Sequence, residues 1–214
     1  MFALANKYML RTRQQAISQV MELFNQTAIE VCEGQQYDMD YEHQANVSIA
    51  DYIEKIRLKT AVLLAASLKT GAIIAGAEAA DCNYIYQFGI HIGLAFQLKD
   101  GLLDVYGVQE KVGKVSGGDI VDGKKTYLYL KVLETAGSEA DAFRRLYAAH
   151  DLESTEKIAR VKEVFNRLNI ETQTRQLIND YYQKALRDLS AISLPEEAME
   201  SLTEYAAGLM EREN

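Results

Sequence analysis

Two aspartates four residues apart, Asp100 and Asp104, close the stretch "FQLKDGLLDVYG" from Phe96 to Gly107. On a helix, Gln97, Asp100 and Asp104 stand at i, i+3 and i+7 and share one face. Acids at a helix C-terminus run against the macrodipole, which favours cations there. Carboxylates held in that position point to a bound cation. Mg²⁺ suits them, since it takes few carboxylates and keeps waters and substrate phosphates. A solvated acidic stripe is the alternative, and a bare DxxxD is a common pattern. The loop that follows adds lysines: Lys114 and Lys124 lie on glycine-flanked backbone that can approach a ligand closely. Acids that hold a metal beside lysines form a constellation for a diphosphate, with the metal bridging and the lysines neutralising the remaining charge.

Two other segments place polar groups where an apolar face is expected. "EVCEGQQYDMDYE" sets Gln35 and Asp38 three apart at the end of an otherwise buried helix. "IRLKTAVLLAA" sets Lys59 and Thr60 directly before an apolar run, where an unpaired lysine is costly. Singly, each reads as a satisfied core polar residue. Together, the four segments put polar groups at helix ends or in a loop, as a cleft at one mouth of a helical bundle requires.

The elements that must position them are all helical. One proline, Pro195, in 214 residues implies long helices with few breaks. Apolar spacing of three to four predicts helices over 12–38, 48–76 and 79–106, the second opened by a Ser48/Asp51 capping box and the third apolar nearly all round. Residues 107–125 hold five of the thirteen glycines and read as a long loop. Shorter amphipathic helices follow near 126–136, 138–149, 154–168 and 171–191. A last one is opened by Ser193-Leu194-Pro195-Glu196, a capping box with proline in its first turn. No alternating run supports a strand. The fold class is all-α.

Composition bounds the function. A net charge of −8 argues against a nucleic-acid partner. The apolar run 61–80 is broken by Lys69 and reads as a buried core helix rather than a membrane span. Cys32 and Cys82 carry no metal or redox spacing and read as buried free thiols in a reducing cytoplasm.

The segments "EGQQYD", "RLKT", "FGIHIGLAFQLKDGLLD", "GKVSGGDI" and "GKKTY", in this order, resemble the trans-isoprenyl diphosphate synthases (polyprenyl synthetases) over the whole chain. The resemblance implies one domain over 1–214, an isoprenoid-synthase-type helical bundle. It implies condensation of isopentenyl diphosphate with an allylic diphosphate, Mg²⁺ as cofactor, and a homodimer or higher oligomer. Asp100 and Asp104 would belong to the second aspartate-rich motif, Asp100 binding metal directly and Asp104 directly or through water. Lys59, Lys114 and Lys124 would grip the allylic diphosphate, with Gln35 and Asp38 beside them. Thr60 and Gln97 would line the reaction site.

Two departures stand out. The family's second motif reads Asp-Asp-x-x-Asp, and here Gly101 replaces the second aspartate; glycine also lowers helix propensity by ~1 kcal/mol, loosening the turn. The first aspartate-rich motif of the family is not found, and "MFALANKYML" starts apolar with no capping residue, like the middle of a helix. The expectation is a bundle truncated at its N-terminus and weak or inactive alone. A non-catalytic subunit that partners a complete synthase, and a class I terpene cyclase, are the alternatives.

Overall fold

A computed structural model describes residues 2–107 and 117–211, with Phe2 by its backbone alone. Every regular element among the described residues is helical. In chain order these are α1 (Phe2–Met9), α2 (Ile17–His43), α3 (Ile49–Ile56), a π turn (Arg57–Ala61), α4 (Val62–Ala75) and α5 (Ala79–Tyr106). Then come a short α6 (Gly118–Val121), α7 (Tyr127–Thr135), α8 (Ala140–Tyr147), α9 (Ser154–Arg167), α10 (Ile170–Ser190) and α11 (Glu196–Glu211).

The expected Ser48/Asp51 box is present in both directions. The Ser48 hydroxyl accepts the Asp51 N–H at 3.1 Å, and the Ser48 N–H donates to the Asp51 carboxylate at 2.9 Å. The second box differs. Ser193 donates its N–H to Asp81 at 3.2 Å, a partner on a distant helix, while Met199 bonds back to the Pro195 carbonyl. The helix expected over 12–38 lies instead at Ile17–His43. Its extra turn is closed from outside. The Lys125 ammonium donates to the carbonyls of Tyr41 (2.7 Å) and Gln44 (2.6 Å), satisfying orphan acceptors that local sequence leaves open.

α5 sits at the centre, packed chiefly on α10 and α4. It buries residues around its whole circumference, among them Phe88, Ile92, Leu98 and Leu102. Each such side chain contributes about 1.5–3 kcal/mol through burial. One core joins its C-terminal half to α3, α4 and α7–α10; a second joins its N-terminal half to α10 and α11 through Phe88, Ile92, Ala185, Leu189 and Ala206. Gly101 leaves α5 unbroken to Tyr106, so the expected loosening does not occur.

α4 is less buried than its composition implies. The run Ile49–Ala75 is long and apolar enough to cross a membrane by composition alone. Val62, Ala65 and Ala66 face the bundle, whereas Leu63 is 57% exposed. Cys82 is buried as expected, but Cys32 is exposed, because α2 turns that face outward.

Candidate active site

A cavity of about 570 Å³ opens where α2, the π turn, α5 and the segment after α6 meet. It is lined by residues of all four polar segments singled out in the sequence.

The π turn sets the geometry of one wall. An α-helix running through residues 49–75 keeps the i+4 pattern; here the Val62 N–H bonds to the Arg57 carbonyl, one residue farther. The wider turn holds Lys59 and Thr60 where both line the cavity. Two glycines let neighbouring helices close on this turn. A Cβ on Gly34 of α2 would lie 2.5 Å from the Lys59 backbone nitrogen, and one on Gly93 of α5 would lie 2.8 Å from the Ala61 Cα. Only a residue without a side chain permits these contacts. As a result Thr60 Oγ1 donates to Gln97 Oε1 at 3.1 Å across two helices.

Asp38 anchors the same wall. Its Oδ1 lies 2.9 Å from Lys55 Nζ and its Oδ2 2.5 Å from Lys59 Nζ. Burial pushes this carboxyl upward, but the hydrogen bonds and charges of Lys59 and Lys55 outweigh it, and its pKa falls below the usual value.

The opposite wall is the segment after α6. Tyr147 donates its hydroxyl to the Lys124 carbonyl at 2.8 Å and is deeply buried, which raises its pKa far above the tyrosine norm. With Lys125 pinned on the end of α2, the backbone on both sides of Lys124 is fixed. Lys124 Nζ meets Asp119 Oδ1 at 2.7 Å and Asp122 Oδ2 at 3.5 Å, and the bond from Asp119 raises its pKa. The lysine end of this pair is solvent-exposed, and the pair stabilises the fold by about 1 kcal/mol. Its ammonium therefore leaves that partner easily for a stronger anion.

The expected residues divide as follows. Asp38, Lys59, Thr60, Gln97, Asp100 and Lys124 all line the cavity. Gln35 is exposed on α2 and does not. Asp104 sits one turn below the lining: its Oδ2 accepts the Asp119 N–H at 3.0 Å, and its own carbonyl accepts the Gly117 N–H. Burial raises the Asp104 pKa despite the backbone N–H groups of Asp119 and Gly118 that bond its carboxylate. Lys114 lies outside the described residues. Sequence reasoning passed over Lys55, Asp119, Asp122 and Lys125. Lys55 carried a signal, since it stands four residues before Lys59 on the same helical run. Lys125 carried none, because its partners are backbone carbonyls more than eighty positions away.

Asp100 offers an exposed hard-oxygen ligand toward this cavity, the donor type that Mg²⁺ takes with retained waters. Among the described residues no three acidic, His or Cys side chains converge as a ready-made metal cluster. The donors fit a cation shared with a phosphorylated ligand, not a closed structural metal.

Known proteins resemble this chain in sequence and in fold. The polyprenyl synthetase family profile matches residues 1–168. The short chain isoprenyl diphosphate synthase of Methanothermobacter thermautotrophicus is 33% identical over 198 residues, which are 92% of this chain and 60% of that protein. The chain thus spans about three fifths of that relative's length. The crystal structure of a geranylgeranyl pyrophosphate synthase superposes with a TM-score of 0.92 at 38% identity, over 99% of this chain and 66% of that one. A polyprenyl synthase from Caulobacter crescentus CB15, solved with calcium and isoprenyl diphosphate, gives a TM-score of 0.81 at 30% identity, over 92% and 60%.

Proposed function

The chain belongs to the polyprenyl synthetase family, and from that premise we propose that its cavity serves trans-prenyl transfer, as one domain over residues 1–214. In this reaction the C–O bond of an allylic diphosphate breaks and diphosphate departs with the electron pair. The double bond of isopentenyl diphosphate attacks the allylic cation, a C–C bond forms, and a proton is lost from the product. The observation that carries this reading is the convergence of Lys59, Lys124, Asp38 and Asp100 on one cavity from four separate segments.

Each residue has a task that follows from its position. Lys59 and Lys124, with Lys114 by family resemblance, neutralise the oxygens of the leaving diphosphate. The ammoniums of Lys59 and Lys124 stand at the cavity wall before substrate arrives, so little reorganisation is needed as charge develops. Thr60 and Gln97, locked to each other, present fixed dipoles to the allylic cation. Asp100 would hold Mg²⁺, which when bound adds positive charge beside the leaving group. Asp104 would act at one remove, by fixing the backbone at Asp119 and through it the Lys124 segment.

This assignment includes a slow rate for the 214-residue chain by itself. Of the described carboxylates at the cavity, Asp38, Asp119 and Asp122 are engaged by lysines, which leaves Asp100 and Glu42 outside those pairs. A site that gathers several cations around a diphosphate needs more acids than this, and one electrostatic group commonly accounts for 10²–10³ in rate. A second reading, a subunit that modulates a complete synthase, draws on the commitment of Asp104 to backbone N–H groups.

Titration of the purified chain with an allylic diphosphate, with and without EDTA, tests the proposal. Mg²⁺-dependent binding that Asp100→Ala abolishes is expected, together with slow incorporation of labelled isopentenyl diphosphate. Absence of binding under all conditions would remove the prenyl-diphosphate reading. Binding without any incorporation would favour the subunit reading.

A further inference from the structure

Asp38 holds two ammoniums, and as a counter-ion it needs only one. Lys59 already occupies its Oδ2. Lys55 approaches Oδ1 at 2.9 Å with a side chain only 14% exposed, and the trio of Asp38, Lys55 and Lys59 carries a net charge of +1. Taking a second lysine out of water to share one carboxylate is unfavourable unless something else uses its charge. Its placement is specific. The ammonium lies 5.0 Å from the centroid of the Tyr52 ring, a cation–π contact beneath it, and it opens on the same cavity as Lys59 and Thr60. The other described acids of that cavity do not claim it: Asp119 and Asp122 pair with Lys124, and no ion pair joins Lys55 to Glu42 or Asp100.

The geometry of the pair has a chemical meaning. Two ammoniums held on the two oxygens of one carboxylate are spaced much as they would be on two oxygens of one phosphoryl group. We propose that Lys55 binds diphosphate in its own right, stored on Asp38 in the free protein and shared with the incoming phosphoryl oxygens beside Lys59. This rests on the prenyl-diphosphate reading of the same cavity. It adds a ligand that the resemblance to polyprenyl synthetases did not bring to this chain.

Calorimetric titration with inorganic diphosphate in Mg²⁺ tests it, on the full chain and on Lys55→Met, Lys55→Arg, Lys59→Met, Asp38→Asn and the Asp38→Asn/Lys55→Met double variant. Lys55→Met is expected to weaken binding about ten- to a hundredfold, the worth of one charge-assisted hydrogen bond. Lys55→Arg should recover most of that loss. The loss should persist in the Asp38→Asn background, because Lys55 then acts on the ligand directly. Thermal melting checks each fold, and Lys55→Gln replaces the methionine variant if that one melts early. Should Lys55→Met bind like the parent while Lys59→Met is weakened, Lys55 is no ligand and the cavity reading survives. Disappearance of the effect in the Asp38→Asn background would likewise overturn the proposal, since Lys55 would then act only through Asp38. If Lys59→Met also binds like the parent, the cavity does not take diphosphate and both readings fall together.

Discussion

At the scale of residues, one position separates this chain from the second aspartate-rich motif it resembles. Gly101 follows Asp100 where a second aspartate is expected, and a Cβ built there meets nothing within 4 Å. The backbone at Gly101 therefore has room for a Cβ, and α5 runs on through it to Tyr106. Gly101→Asp should tighten Mg²⁺-dependent diphosphate binding; unchanged affinity by calorimetry would make the glycine incidental to the site. Asp38 gives a second prediction, in pH. Its folded pKa lies below its unfolded value, so its contribution to stability is complete above about pH 4 and is lost as pH falls through the lowered folded pKa. Asp38→Asn should accordingly cost stability at pH 7 and lose that difference in strong acid. Urea midpoints of parent and variant at both pH values check this, and a gap that stays constant would contradict it.

At the scale of elements, the site depends on helices that touch through missing side chains. Gly34→Ala would drive a Cβ to 2.5 Å from the Lys59 nitrogen, between backbones that cannot yield as a flexible side chain does. We expect about 1–3 kcal/mol of destabilisation, as for overpacking generally, together with weaker diphosphate binding because Asp38 and Lys59 move apart. Gly71→Ala on α4 is the internal contrast. It meets nothing within 4 Å, and should stabilise by about 0.5–1 kcal/mol with binding unchanged. Equal melting temperatures for the two variants would show that the close approach is not needed. The same elements show what could be read beforehand. Apolar period located α5 to the residue and the Ser48 box located α3, because both signals are local. The π turn, the last turn of α2 and the partner of Ser193 were not legible. Each depends on a group from a distant segment: packing against Gly34 and Gly93, the Lys125 ammonium, and Asp81. The candidate site divides the same way. Six of the nine expected residues line one cavity, whereas Gln35 is exposed on α2 and Asp104 is held below the lining by the N–H of Asp119, fifteen positions away.

At the scale of the whole molecule, the bundle is closed around α5 and open along its first two helices. Leu4 and Tyr8 stand at i and i+4 on α1, 53% and 57% exposed, with Leu10 at 60% just beyond and Ile29 of α2 at 53%. α1 packs on α2. Scattered apolar side chains are ordinary on a protein surface, but a row of large ones on a terminal helix is a surface that water disfavours. At ~25 cal/mol per Å² of apolar area, covering such a row contributes several kcal/mol toward association of chains when the partner surface fits. The chain should therefore self-associate as concentration rises, by way of α1. Replacing Leu4 and Tyr8 together by glutamate should shift it toward monomer in sedimentation velocity and leave diphosphate binding in place, since neither residue lines the cavity. A parent that sediments as a monomer across the whole concentration range would refute the association. A double variant that still associates would place the contact elsewhere than α1.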